Sequence, residues 1–410
     1  MKFQYKPGVK IGVSALMLVS GFAVAMSGSV ASASSKSKGP NYSKDVYNIA
    51  SIIPLSTAAA AYGIVAEELD NLALANIKKN HTIQGTIRNW YYDSQALPAP
   101  AVAAAQQAVS IHHVLGMQVL FTSPVSAVVP IATSSKTIEI NPGATGPSLY
   151  NLSPYLLSVV PLGTQQVNTY APFAVKTEGY TKWVVLYTAE PLGQGLDAAI
   201  DTAVPNVGGR VVADIQISPT ATDFSAQVAQ IAAAVGPSSK NTLVYLATSG
   251  NVSGNNQKIM DELVAAGVNV EYAGFTNSVT AALQADPNAG SYQYTSSFVN
   301  LKDNNVVTKQ FIQSVTAHYP DQVSNLEANM SVYNSFLLIA DTIHHLQAKK
   351  LKVTNANLIK AMHSEGAVQV AGGAWTVQNT GTVNAAVEIQ QLHSDGSSTT
   401  IFGGSATPAG

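Results

Sequence analysis

Three loops in the first part of the chain carry the same chemistry: Pro54-Leu55-Ser56-Thr57, Thr122-Ser123-Pro124 and Asn141-Pro142-Gly143-Ala144-Thr145. Each offers hydroxyls or backbone N–H groups where an apolar run gives way to a helix or to small residues. Ser56 stands where it would cap the following helix, with Tyr62 about two turns in, and Ser or Thr ahead of Pro is a helix-start signal. Orphan N–H donors and the helix dipole both favour an anion there, and a ligand carboxylate is the natural occupant. Ser and Thr cap helices in every kind of protein, so one such loop would be structural; three in one lobe, all at strand ends, strengthen the argument. Catalytic groupings are weaker. His112-His113 and His344-His345 are adjacent pairs, whose side chains diverge on a helix instead of converging on a metal. Glu67, Glu68 and Asp70 read as a wet helix face. The chain carries no dinucleotide fingerprint, phosphate loop, HExxH or GxSxG. Nothing asks for bond-breaking chemistry, a metal or a cofactor.

These loops need elements to hold them, and short apolar runs alternate with segments of helical period. Strands are predicted at 46–53, 86–92, 114–121 and 137–140, with helices at 57–79, 99–112 and 124–134 between them. Such alternation predicts a parallel sheet flanked by helices. The pattern restarts after a pause at 151–163, with helices at 164–178, 192–203, 223–235 and 257–266 and strands at 183–187, 211–217, 243–247 and 268–272. A third stretch carries helices at 306–318, 329–347 and 355–363 and most economically completes the first set. The tail reads as hairpin strands at 375–377 and 386–389 around Gln378-Asn-Thr-Gly381. The layout is an α/β protein of two lobes, one from 46–163 plus 300–370 and the other from 164–299 plus 371–403, with a tail at 404–410. Two lobes with crossing segments imply a hinge and a cleft.

Composition narrows the function. The 410 residues are 46% hydrophobic and only 11% charged, against a usual ~25% charged, so neutral polar side chains cover much of the surface. Basic and acidic residues number 21 and 23, with no Lys/Arg run of the kind a phosphate-binding face needs. Nucleic acid is not an expected partner. The lack of cysteine excludes disulfides, thiolate metal sites and a cysteine nucleophile. Lys2, Lys6 and Lys10 precede an apolar run and then Ala31-Ser32-Ala33, the order of a secretory signal peptide over 1–33; 34–45 reads as a flexible leader. Cleavage leaves 18 basic against 23 acidic groups, a net charge of -5, in a protein outside the cytoplasm, tethered if the segment is retained. With few ionisable groups, stability should depend weakly on pH, as suits an acidic exterior.

Taken together, the residues resemble a family. Pro54-Leu-Ser-Thr57 with Tyr62-Gly63, Tyr92-Asp93 followed by Pro98, the helix 101–109 and Ile140-Asn-Pro-Gly-Ala-Thr145 are similar to the opening of the branched-chain amino-acid type of solute-binding protein. Val184-Val-Leu-Tyr187, Gly193-Gln-Gly195, Gly208-Gly209 with Val212 and Ala221-Thr-Asp-Phe-Ser-Ala-Gln227 match its second lobe. The likeness spans about 46–402. It implies the type I periplasmic-binding fold, two lobes joined by three crossovers, with the ligand's carboxylate held by groups that fall on Thr122, Ser123, Gly143, Ala144 and Thr145 and covered by Tyr62. The second lobe departs from the amino-acid binders: Leu192 replaces an aromatic, Ser249 a tyrosine, and Thr276 the acid expected to pair with an ammonium. Glu190 could supply that charge from a neighbouring loop. The ligand is therefore a branched-chain or hydrophobic amino acid, or a related acid or amide.

The resemblance implies a monomeric receptor that captures a small solute by hinge closure and delivers it to the permease of an ATP-driven (ABC) transporter. A sensor domain that reports a solute to a signalling receptor has the same architecture, and fold alone does not separate the two.

Overall fold

The computed structural model describes residues 40–57, 59–297 and 304–404. The signal peptide, most of the leader and most of the tail read from the sequence lie outside them. Among the described residues no helix is long and apolar enough to cross a membrane.

The first lobe runs β1 (Val46–Ile53), α1 (Ala60–Lys79), β2 (Thr86–Asp93), α2 (Pro98–Ser110), β3 (Gly116–Val119), α3 (Thr122–Ser135), β4 (Ile138–Asn141) and β5 (Leu156–Ser158). The second continues with α4 (Gly163–Pro172), β6 (Lys182–Thr188), α5 (Pro191–Asn206), β7 (Arg210–Ile217), α6 (Ser225–Val235), β8 (Thr242–Ala247), α7 (Gly250–Ser253), α8 (Asn256–Ala265), β9 (Glu271–Phe275), α9 (Ala281–Gln284) and β10 (Gln293–Ser297). The chain then returns through α10 (Val306–His318), α11 (Leu326–Ala348), α12 (Asn355–Ser364), β11 (Ala367–Val370) and β12 (Gly373–Thr376), and ends in β13 (Val387–Leu392) and β14 (Ser398–Gly404).

All pairings in the first sheet are parallel, in the order β2-β1-β3-β4-β5. The second repeats that order as β7-β6-β8-β9-β10, and the antiparallel pair β13-β14 extends it beyond β10. β3, β4 and β8 are buried at every residue, as central parallel strands covered on both faces must be. α1, α11 and α12 cover one face of the first sheet, and α2 and α3 the other. In the second lobe α6 and α8 lie on one face, α4 and α5 on the opposite one.

Three readings of the sequence need correction. The tail is not one hairpin around Gln378: Trp375 lies in β12, paired with β11, while β13 pairs with β10 and with β14, across a turn containing Asp395-Gly396. The final return to the second lobe also falls later than residue 371. Ala371, Val377, Val383 and Ala385 pack in the first core, and Ser158 N–H donates to Gly381 O at 2.8 Å beside β5. Asp70 does not face water. It is fully buried and accepts from Ser51 Oγ at 2.6 Å and Gln118 Nε2 at 2.8 Å.

Candidate functional site

In an open parallel sheet of order 2-1-3-4-5, the connections leave the first and third strands in opposite directions, and the crevice between them at the carboxyl ends is where ligands bind. Each lobe has such a switch point. In the first lobe it lies between the exits of β1 and β3, in the second between those of β6 and β8. Pro147, beyond the exit of β4, packs against α5 so closely that a Cβ added at Gly195 would stand 2.9 Å from Pro147 Cδ. The carboxyl ends of the two sheets therefore meet across the lobe boundary, and Gly195 is glycine because a side chain would wedge them apart.

At the first switch point α1 starts tightly: a Cβ on Gly63 would collide with Pro54 O. Tyr62 is left 64% exposed, its ring edge-to-face with that of Phe121 at 5.6 Å and 87°. Phe121 has φ 70° and ψ 139°, a glycine region that costs a bulky residue ~1–3 kcal/mol. Thr57, Gln95 and Ala96 in the neighbouring exits are also at positive φ. Elsewhere, positive-φ residues such as Lys136 close helices, the ordinary use of that conformation. Strain in a cluster of strand exits marks a site.

No side chain caps α3. The N–H groups of Thr122 and Ser123 are orphan donors by geometry, while Val125 N–H returns to Phe121 O at 2.9 Å. Thr122 is buried and lies against Gly146. The adjacent Thr145 is 6% exposed, and its Oγ1 has no hydrogen-bond partner among the described residues. An unmade hydrogen bond at a buried hydroxyl costs ~1–3 kcal/mol, and this donor lies beside an uncapped helix start.

Other residues singled out from sequence serve the loops themselves. Ser56 does not cap α1, which begins at Ala60; its hydroxyl donates to Asp93 Oδ2 at 2.5 Å. Asp93 also accepts from the N–H groups of Leu55 and Gln95, each at 2.8 Å, which pins the β1 and β2 exits together. Burial works against its charge, yet the Ser56 hydroxyl and the N–H groups of Gln95, Leu55 and Ser56 hold the carboxyl below its ordinary range. Gly143 and Ala144 do not present free N–H groups: both donate to Asn141 Oδ1, at 3.2 and 2.6 Å. Asn141 is a residue sequence reasoning missed, although Asn-Pro-Gly announces an Asx turn. Phe121 was missed as well; an aromatic residue directly before Thr-Ser-Pro was the available clue.

The second switch point is closed by its own side chains. Glu190 caps α5, accepting from Leu192 N–H at 3.0 Å and Gly193 N–H at 2.9 Å. Its Oε1 also accepts from Thr188 Oγ1 at 3.1 Å and from Ser249 Oγ, across the crevice, at 2.9 Å. Leu192 is 8% exposed and belongs to the core between the sheet and α5. Thr276 donates to Thr295 O at 2.7 Å. Two surface depressions, of about 430 Å³ beside Lys182, Arg210 and Lys240 and about 260 Å³ beside Asp45, Tyr47 and His113, lie at the opposite, amino ends of the strands.

Two lobes of repeated topology, with their strand exits opposed, are the architecture that two-lobed solute-binding proteins share. The chain matches the periplasmic binding protein family over residues 46–397 and belongs to it, with the type I fold. Among solved structures it is similar to a solute-binding protein of an ABC transporter from Rhodopseudomonas palustris HaA2 in complex with p-hydroxybenzoic acid (TM-score 0.75, 18% identity, covering 89% of this chain and 98% of that one). It is also similar to a leucine-binding protein from Thermotoga maritima (0.73, 17%, 87% and 98%) and to a Desulfitobacterium hafniense substrate-binding protein in complex with Leu (0.72, 15%, 87% and 100%). No curated protein sequence matches it.

Proposed function

We propose that this protein captures a small carboxylate-bearing solute between its lobes, outside the cytoplasm, and delivers it as a monomer to the membrane permease of an ABC transporter. The observation that carries the reading is the uncapped start of α3 beside the buried, unpartnered Thr145 hydroxyl. The N–H groups of Thr122 and Ser123 with Thr145 Oγ1 supply the donor geometry a carboxylate needs at a helix start. Tyr62 covers the solute from the rim. The crossovers after β5 and before β13 belong to the hinge, and contacts made only in the closed state drive closure. The role asks for no catalytic group. The family's members supply the precedent, and the similar solved structures hold an aromatic acid in one case and leucine in another.

A thermal-shift screen of the purified chain against amino acids, aliphatic and aromatic acids and amides tests this. A solute at 100 times its Kd adds ~2.7 kcal/mol of stability, so at least one carboxylate should raise the melting temperature clearly. A chain that responds only to uncharged solutes, or to none, is not a carboxylate receptor.

A further inference from the structure

We infer that the amino-end face of the second sheet carries a binding site for a compact phosphate-class anion, borne by a small molecule or by a lipid headgroup. The site is separate from the crevice at the carboxyl ends and does not rest on the reading above.

The sequence holds no basic run, but the fold assembles one. Lys182 opens β6, Arg210 opens β7, and Lys240 stands just ahead of β8. β6 lies between β7 and β8, with Lys182 in register with both Arg210 and Thr242. Strands run ~4.8 Å apart, so three cationic side chains from distant parts of the sequence line one depression of about 430 Å³, the volume of a small-molecule site. No carboxylate lines it. Asp214, the nearest acid along β7, clusters instead with Asp197 and Asp201. Gly208 is glycine for its φ of 94°, and the same choice leaves open the space that a side chain would take.

Among the described residues none of the three cations is in an ion pair, and the side chains of Arg210 and Lys240 make no hydrogen bond. Lys182 Nζ uses one donor, on Val235 O at the end of α6, at 3.5 Å. Like charges held together repel, so this convergence works against the folded protein until an anion joins it. At a net charge of -2 the whole chain does not attract anions; the cluster does so locally.

The donor set selects among anions. A carboxylate carries one charge on two oxygens, which a single guanidinium satisfies. A phosphate group carries up to two charges on three acceptor oxygens. That is enough to engage one guanidinium fork and two ammonium point charges together.

Two measurements on the full chain at ~0.15 M salt test the site: isothermal titration with pyrophosphate and with citrate, and co-sedimentation with phosphatidylglycerol or phosphatidylcholine vesicles. Pyrophosphate should bind at least about tenfold tighter than citrate, which matches it in charge but not in oxygen geometry. Arg210→Gln combined with Lys240→Gln should weaken pyrophosphate at least about tenfold, the worth of one charge-assisted hydrogen bond, while the melting temperature without anion holds or rises. Arg88→Gln with Lys309→Gln, the same loss of charge elsewhere, should leave affinity unchanged. Vesicle binding that pyrophosphate displaces places the phosphate on a lipid; binding of pyrophosphate alone places it on a soluble molecule. Citrate matching pyrophosphate overturns the phosphate assignment. Undiminished binding after the paired change at Arg210 and Lys240, or no binding of either phosphate form, overturns the site and leaves the solute reading standing.

Discussion

The two switch points share one strand order and differ in how their polar groups are used. In the second lobe, Thr188, Glu190 and Ser249 bond to one another and to the start of α5, so the crevice between β6 and β8 is finished without a guest. In the first, among the described residues, α3 starts uncapped, Thr145 Oγ1 is unpartnered, and four non-glycine residues at the exits of β1, β2 and β3 have positive φ. Topology fixes where a crevice forms. Whether it is a binding surface or a wall depends on whether its hydrogen bonds close internally. In the proposed function, the first lobe holds the solute and the second shuts over it.

The same asymmetry extends beneath the sheets, and there the largest effect is expected. Two fully buried carboxyls lie in the first lobe. Burial pushes Asp70 up to about 8, against the opposing bonds from Ser51, Gln118 and Asn89. Burial likewise raises Glu139 well above its ordinary value, and neither of its oxygens has a partner among the described residues. In the second lobe, burial and the adjacent Asp214 and Asp201 push the less buried Asp197 to about 7. A carboxyl whose pKa is higher folded than unfolded binds more protons in the folded state between the two values. Its stabilisation is therefore complete below about pH 4 and lost as pH rises towards 8; for Asp70 the span is on the order of 5 kcal/mol. The melting temperature should be higher at pH 4 than at pH 8, and Asp70→Asn should remove part of the difference, with Glu139→Gln removing a further part. A midpoint that falls on acidification would contradict this account. The sparse charge of the sequence predicts only a weak dependence on pH; the buried acids correct that to a strong one, because burial raises their pKa values far above the unfolded values.

The next test separates the two crevices by double dissociation. Thr145→Val removes a donor that the unliganded protein does not use, so stability should hold or rise, while affinity for the bound carboxylate falls ten- to a hundredfold, the worth of a hydrogen bond to a charged group at ~1.5–3 kcal/mol. Glu190→Ala should do the opposite. It strips the α5 cap and leaves Ser249 and Thr188 short of a partner, costing ~1–2 kcal/mol of stability with little change in affinity. Calorimetric titration and denaturant melts of both variants read all four numbers. A Glu190→Ala protein that loses its ligand would show that the second crevice is a binding wall.

Much of this was legible in the sequence. Helical and strand periods located the two α/β sets, and Thr-Ser-Pro and Asn-Pro-Gly marked the loops that form the first crevice, because local signals there agree with the tertiary result. What escaped was set by distant partners. Ser56 looks like a cap, yet Asp93 lies 37 residues away in sequence and takes its hydroxyl. Asp70 sits among acids on a helix that otherwise reads as wet, and only the side-by-side placement of β1, β2 and β3 brings Ser51, Asn89 and Gln118 to it. Glu190 reads equally well as a ligand group or a cap, since the bond from Ser249 spans 59 residues. β5 and β10 escaped as well, the first three residues long and the second carrying four polar side chains in five.

The smallest effect asks whether strain at the exits is used or merely tolerated. Ala96 at φ 57° lies between β2 and α2, and Lys136 at φ 56° closes α3. Replacing either with glycine relieves the left-handed penalty of ~1–2 kcal/mol, partly offset by the greater freedom of glycine in the unfolded chain. Each should gain less than ~1 kcal/mol. Lys136→Gly should leave affinity untouched, because that turn only ends a helix. Ala96→Gly should weaken binding two- to threefold, because the β2 exit shares Asp93 with the loop that leads to Tyr62, and a loosened exit must be reordered when the solute arrives. Equal affinities in the two variants would mean that the exits are strained only because the sheet above them dictates where they run.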